Sequence, residues 1–223
     1  MGIKDLLTAE GRRRSKIDSL TRRLCNRYGP TEERWSAADE LAEIATDDAV
    51  YGLLRRFLAV SDKIQEDREE KRHVQDLIVG LRDKALPSVR AFIRREADAV
   101  LAVECLKRMV AGDALVDELI VLLRQVGPFA TRPDQMTPVL DSLAQTHDAR
   151  AVDAVLPFLQ CRDDTVLLAA IECLDKLGDE RAREPLVELS EHEDTVPRIH
   201  DRLLQALDAH GWAPKGKDKK KRK

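Results

Sequence analysis

Hydrophobic residues recur along most of this chain with the spacing that places them on one face of an α-helix. Val50, Leu53, Leu54 and Phe57 fall at positions i, i+3, i+4 and i+7, and Leu58 follows at i+8. The clearest stripe comprises Val166, Ala169, Ala170, Cys173, Leu174 and Leu177. No comparable stretch alternates with period two, so the sequence predicts an all-α protein without strands.

The periodic segments are short and end at residues that favour helix termination. These breaks fall at Gly112-Asp113, Gly127-Pro128, Thr146-His147-Asp148, Gly178-Asp179 and Gly211. Glycine adopts the left-handed conformation that ends many helices, and an aspartate that follows can cap the next one. Helices of three or four turns cannot bury an apolar face alone. The series therefore predicts an α-solenoid, a superhelical stack of antiparallel helix pairs.

An internal repeat supports the solenoid prediction. The segment Asp148-Ala149-Arg150-Ala151 returns 31 residues later as Asp179-Glu180-Arg181-Ala182. Apolar positions of the next helix return after 33 residues: Val166, Ala170, Leu174 and Gly178 recur as Ile199, Leu203, Leu207 and Gly211. The unit of repetition is thus a helix pair joined by an Asp-x-Arg-Ala loop.

The residues from 151 to 189 resemble bacterial HEAT repeats of the bilin-lyase-like class. Asp163-Asp164-Thr165-Val166 matches the turn of that class, whereas Leu167 stands where the class usually has arginine. The match extends over residues 152–212. The whole chain also resembles bacterial HEAT-repeat proteins from which no function can be transferred. The resemblance implies an armadillo-like stack of helix pairs whose first helices are often bent, and Pro157 and Pro185 are expected to bend two first helices.

These patterns predict three segments. Residues 1–29 would form a basic capping helix, and residues 30–212 a HEAT-like α-solenoid of about six helix pairs. The best-defined repeats span residues 148–211, and Trp212 could cover the last of them. Residues 213–223 contain no stretch able to pack and are expected to form a disordered basic tail.

Charge is distributed unevenly along the chain, although the net charge is only -3. Residues 1–27 contain eight Lys/Arg and three Asp/Glu, and residues 215–223 contain seven Lys/Arg and one Asp. The segment between them carries roughly -14. The chain is therefore expected to be an acidic body with two basic ends.

The sequence offers little for catalysis. No nucleophile elbow or phosphate-binding glycine loop is present. The four cysteines form no C-x-x-C pair and are expected to be reduced structural residues. His192 and His200, with Glu191, Glu193 and Asp201 nearby, match no zinc spacing and favour a solvated surface. We expect no enzymatic activity, no metal and no cofactor. The lack of an apolar leader favours a cytoplasmic protein.

The leading functional hypothesis is a non-catalytic scaffold that binds a basic or mixed-charge protein segment on its concave surface, formed by second helices such as 165–177 and 196–209. Glu172, Asp175 and Lys176 are the candidate contacts, since they lie off the apolar stripe.

Two alternatives remain open. The basic ends could bind nucleic acid or another anionic surface. That hypothesis assigns contacts to Arg12, Arg13, Arg14, Lys16, Lys217, Lys219, Lys220, Lys221, Arg222 and Lys223. A HEAT-like enzyme, related to bilin lyases or DNA glycosylases, is the other alternative. The acidic body and the few aromatic residues argue against the glycosylase version.

Overall fold

A computed structural model describes residues 8–192 and 195–212 of the chain. These residues form twelve α-helices and no strands, which confirms the all-α prediction. The helices are Ala9–Leu24 (α1), Thr31–Ile44 (α2), Asp47–Leu54 (α3), Ile64–Gly80 (α4), Leu86–Arg95 (α5), Val100–Met109 (α6), Asp113–Val126 (α7), Thr137–Thr146 (α8), Val152–Val155 (α9), Asp164–Leu177 (α10), Arg183–Ser190 (α11) and Pro197–Ala209 (α12). Short 3₁₀ turns connect several of them.

The chain divides into two compact units, Met1–Ala111 and Gly112–Lys223. In the first unit, α2, α4 and α6 pack in one layer, and α1, α3 and α5 pack in a second layer against it. Helix α1 contacts both α2 and α3 through Ile17, Leu20 and Leu24, which are at most 4% exposed. This basic helix therefore packs one apolar stripe against the following pair and leaves its charged face in solvent.

The second unit has the same two-layer organisation. Its first layer contains α7, the segment 149–160 and α11, and its second layer contains α8, α10 and α12. Each second-layer helix packs on the next, and α12 also packs on α11. Stacked helix pairs of this kind are the arrangement of an α-solenoid.

The predicted apolar stripes form the core. Val166, Ala170, Cys173 and Leu174 are fully buried, as are Val50, Leu53 and Leu54. The stripe that begins at Val50 continues less far than its spacing suggests. Helix α3 ends at Leu54, and Arg55–Leu58 forms a 3₁₀ turn. The changed backbone rotation leaves Leu58 38% exposed.

The first helices are interrupted rather than smoothly bent. Between residues 149 and 160 the chain forms a 3₁₀ turn, the four residues of α9 and a second 3₁₀ turn that contains Pro157. Proline has no N–H for an α-helical bond, which accounts for the change of helix type there. Pro185 lies in the first turn of α11, where a missing N–H has no cost.

Left-handed residues end the second-layer helices at equivalent repeat positions. Gly178 has φ +63° and Gly211 has φ +66°. His147, which precedes Gly178 by the repeat offset of 31 residues, has φ +52° although it carries a side chain. Its ring Nδ1 lies 3.0 Å from the carbonyl oxygen of Lys176, a contact that helps to hold this less favourable backbone.

A buried ionic cluster ties α2 and α4 to the 3₁₀ turn after α3. Glu70 is 2% exposed and lies between Arg34 and Arg56, which are 4% and 3% exposed. Glu70 Oε1 accepts from Arg34 Nη2 at 2.5 Å, and Glu70 Oε2 accepts from Arg56 Nη2 at 3.0 Å. Arg56 Nη2 also donates to Asp67 Oδ1 at 2.6 Å. Three charges are thus removed from water as one hydrogen-bonded group.

Backbone oxygens complete the hydrogen bonding of this cluster. Arg34 Nη1 donates to the carbonyl of Gly29, and Arg56 Nη1 donates to that of Ala59 at 3.0 Å. The hydrogen bond to Glu70 raises the pKa of the Arg34 guanidinium. Arg34 therefore stays charged, and the two arginines fix the loops before α2 and after α3. No apolar pattern in the sequence indicates this contact, because its members are 14 and 36 residues apart.

We expect the Glu70→Gln variant to lose about 3–5 kcal/mol of unfolding free energy, because two buried guanidiniums would keep only part of their compensating charge. Urea unfolding followed by circular dichroism measures the loss. Glu69→Gln is the matched control, since Glu69 is an exposed neighbour on the same helix, and it should change stability by less than about 0.5 kcal/mol. Equal stabilities for the two variants would contradict a structural role for the cluster.

Candidate interaction surfaces

The repeated Asp-x-Arg loops connect successive helix pairs of the second unit. Asp148 accepts from the backbone N–H of Arg150 at 2.9 Å, and Asp179 accepts from that of Arg181 at 3.0 Å. Each aspartate also binds the guanidinium of the same arginine, at 3.0 Å for Arg150 Nε and 2.8 Å for Arg181 Nε. These contacts lower the pKa of both aspartates. Each aspartate thus caps a turn and orients the side chain of the arginine two residues later.

The two arginines form ion pairs with residues of the preceding repeat. Arg150 binds Asp113 and Asp117, each at 3.1 Å. Arg181 binds Asp153 at 2.8 Å and the carbonyl of Ala149 at 2.6 Å. The loops therefore form a chain of contacts along the first layer. All of these groups are already paired, so we assign them to the spacing of the repeats rather than to ligand binding.

A groove runs along the outer face of the second layer. Its lining residues are Thr137 and Asp141 on α8, Thr165, Leu168, Ala169 and Glu172 on α10, and Arg198, Asp201, Arg202 and Gln205 on α12. Residues 165, 168, 169 and 172 recur as 198, 201, 202 and 205 after the repeat offset of 33. The groove is thus built from equivalent positions of successive repeats, which the offset alone could have indicated.

The candidate residues of α10 occupy different environments. Glu172 is exposed in the groove, with Arg202 Nε 3.7 Å from its Oε1. Asp175 is only 19% exposed and binds Arg202 Nη2 at 2.5 Å and His210 Nε2 at 2.9 Å. Lys176 is exposed but does not line the groove. The structure therefore places Glu172 in the groove and Asp175 in an interhelix contact.

Sequence reasoning missed the groove residues on the neighbouring helices. Among them, Asp141 differs from an ordinary surface carboxylate, because partial burial and the nearby charge of Glu172 raise its pKa. Arg198 and Asp201 are exposed, and the described residues show no ion pair to either. The groove is thus lined by three carboxylates and two arginines, and Arg202 is already bound to Asp175 at 2.5 Å.

The end of the second unit is closed by a tryptophan, as the sequence suggested. Trp212 is 4% exposed, and its indole N–H donates to Glu180 Oε1 at 3.0 Å. Its ring stacks on His210 with centroids 4.4 Å apart. The indole thus covers apolar surface of the final pair while its polar atom stays hydrogen-bonded.

The basic residues of α1 remain in solvent. Arg12, Arg13 and Arg14 are exposed and form no ion pair with any described residue. Lys16 is different, since its Nζ lies 3.1 Å from Glu40 on α2. The other residues of this hypothesis, from Lys217 to Lys223, lie outside the described residues.

The cysteines are separate from one another and largely buried. Cys105, Cys161 and Cys173 are buried and Cys25 is half-buried, all as free thiols. Burial raises the pKa of both Cys105 and Cys173 to about 12. A thiol that stays protonated at neutral pH is a poor nucleophile. Within residues 8–192 and 195–212, no group of three His, Cys, Asp or Glu side chains is arranged to hold a metal ion.

Comparison with known proteins agrees with the repeat geometry. The family model described as HEAT repeats matches residues 139–208. Residues 139–208 are HEAT repeats. The matched segment contains α8, α10 and most of α12, and hence the helices that form the groove. The matched segment also contains both Asp-x-Arg loops, at Asp148 and Asp179.

A solved engineered protein from the Northeast Structural Genomics Consortium is similar over 88% of this chain and 98% of its own, with 18% identity and a TM-score of 0.39. No curated protein shows significant sequence similarity to the chain. In the part of the chain that the structure describes, no helix combines the length and apolarity needed to cross a membrane.

We expect a native thiol titration at pH 8 with dithionitrobenzoate to modify Cys25 first, while Cys105 and Cys173 react only after urea unfolding. Burial supplies the reason, because it keeps the latter two thiols protonated and covered. The Cys25→Ser variant is the control and should lose the early phase. Rapid labelling of Cys105 or Cys173 in the folded protein would contradict the expectation.

Proposed function

We propose that this chain is a non-catalytic protein-interaction module, and that the groove on α8, α10 and α12 receives a basic or mixed-charge segment of a partner protein. The observation that carries the proposal is the composition of the groove. Its lining contains three carboxylates, Asp141, Glu172 and Asp201, and two arginines, of which Arg202 is already bound to Asp175. An acidic, preformed groove favours a cationic occupant.

The pKa of Asp141 supports a cationic occupant in particular. Asp141 is exposed at its surface, yet partial desolvation and the charge of Glu172 disfavour its ionised form, and Lys176 offsets these effects only in part. A lysine or arginine side chain placed between the two carboxylates would offset both the desolvation of Asp141 and its repulsion by Glu172. A carboxylate or phosphate in the same place would increase them.

The repeat construction of the groove supports an extended occupant. Equivalent positions on three successive helices present polar side chains along one face. Helical repeats hold such a surface in place before binding, so little ordering is lost when a segment docks.

The proposal is tested with the full chain as bait in a native lysate, compared with the Asp141→Asn/Glu172→Gln variant. Proteins bound by the wild type should be retained about two- to thirtyfold less well by the variant, because two cation–carboxylate contacts are lost. Glu184→Gln/Glu188→Gln is the matched control, since both residues are exposed on the first-layer helix α11. Identical sets of retained proteins for all three baits would overturn the proposal.

Binding in the groove should also depend on pH. A bound cation lowers the pKa of Asp141 from its raised value, so the partner binds the ionised form more tightly. Affinity is therefore fully present above the raised pKa of the free protein and is lost as pH falls through it. Titration calorimetry of a retained partner at several pH values measures the effect, and Asp141→Asn should flatten it. A pH dependence unchanged in Asp141→Asn would contradict this assignment.

A second candidate function is association with nucleic acid or another anionic surface, supported by the three unpaired arginines of α1. Heparin chromatography at low salt tests it with the Arg12→Gln/Arg13→Gln/Arg14→Gln variant and with a chain lacking residues 213–223. Each should elute at lower salt than the wild type if those residues contribute phosphate-type contacts. Unchanged elution of both would exclude this candidate.

A further inference from the structure

We infer that the outer face of α2 is a second docking surface, which binds a cationic side chain of a basic peptide segment on the indole of Trp35. This surface belongs to the first unit and uses none of the groove residues on α8, α10 and α12. Its lining residues are Thr31, Glu32, Trp35, Ser36, Asp39, Glu40 and Glu43.

Trp35 is held in position and is open on one side. Its ring is stacked on His73 of α4, with centroids 4.3 Å apart and an angle of 13° between the planes. His73 Nε2 lies 2.8 Å from Asp39 Oδ1, which fixes the imidazole beneath the indole. Trp35 nevertheless remains 37% exposed. A large aromatic ring clamped from below with exposed area above is preorganised for a ligand that stacks on it.

The surroundings of Trp35 are acidic. Glu32, Asp39 and Glu43 lie on the same face of α2, and the lining of this surface includes no lysine or arginine. Glu40 is already engaged by Lys16 at 3.1 Å, with Arg23 further away at 3.8 Å. Glu32 and Glu43 form no ion pair with any described residue. The charge of the helix face therefore remains uncompensated on both sides of the indole.

These two properties select one class of occupant. The face of an indole attracts a cation electrostatically, and the aliphatic stem of lysine or arginine covers the ring at the same time. Glu32, one helical turn before Trp35, can bind the same charged group, and Glu43, two turns after it, can bind the next one along the segment. An anionic polymer would be repelled, and an uncharged apolar segment would have to desolvate the carboxylates. A basic peptide segment fits both the ring and the charge.

The experiment uses the full chain with the Trp212→Phe change, because Trp35 and Trp212 are the only two tryptophans. The remaining indole fluorescence then reports on Trp35 alone. Titration with an octalysine peptide should change this fluorescence to saturation, whereas a glycine–serine peptide of equal length should not. Circular dichroism checks that the Trp212→Phe chain is folded. If it is not, binding of labelled octalysine to the chain with both tryptophans is measured instead.

Labelled octalysine separates the contribution of the ring from that of charge. Trp35→Leu keeps every carboxylate and should bind about two- to fivefold more weakly, which is the effect of one exposed cation–π contact. Glu32→Gln/Glu43→Gln should weaken binding further at low salt, and this loss should shrink as salt is added. Asp141→Asn/Glu172→Gln should leave the fluorescence response of Trp35 unchanged, so failure here is distinguishable from failure of the groove proposal.

Three outcomes would overturn the inference. Unchanged octalysine affinity in Trp35→Leu would show that the ring takes no part. A Trp35 spectrum that changes with protein concentration in the absence of peptide would identify a second copy of the chain as the occupant. Equal responses to octalysine and the glycine–serine peptide would show that the ring does not select for charge.

Discussion

Most of the described helices are too short to be stable alone in water, so the structure depends on burial of each aliphatic stripe against a neighbouring helix. The described α-helices are four to seventeen residues long. Burial of each leucine, isoleucine or valine side chain contributes roughly 1.5–3 kcal/mol, and fully buried residues such as Leu53, Leu119 and Leu174 occur in successive pairs. The two-layer packing within each unit follows from this constraint, since an isolated helix pair would leave apolar stripes in water.

Polar contacts determine how successive pairs are placed. In the second unit, Asp148 and Asp179 aim arginines that reach the preceding repeat. In the first unit, Glu70 is buried between two arginines. The exposed contacts contribute little energy individually but restrict the geometry of the loops. The buried cluster has a larger effect, since removal of one member would leave a desolvated charge.

The functional proposals rest on side chains that are not fully used in these contacts. Asp175 and Arg181 are charged but engaged in contacts between helices. Glu172 lies in the groove with Arg202 Nε 3.7 Å from its Oε1, and the nearby Asp141 has a raised pKa. Trp35 is held by His73 and keeps one side exposed. The two proposed docking surfaces rest on this difference between charges engaged within the fold and side chains that remain accessible.

The amino-acid pattern alone determined the helical fold class, the apolar stripes and the repeat from Asp148 onward, because periodicity and capping are local properties of the chain. It also indicated that Trp212 covers the last pair. Only the tertiary structure decided that Asp175 is engaged while Glu172 is accessible, that Glu70 is buried between Arg34 and Arg56, and that Trp35 is clamped yet exposed. Those outcomes depend on contacts between residues 14 to 38 positions apart in sequence, and side-chain spacing along a single helix carries no information about them.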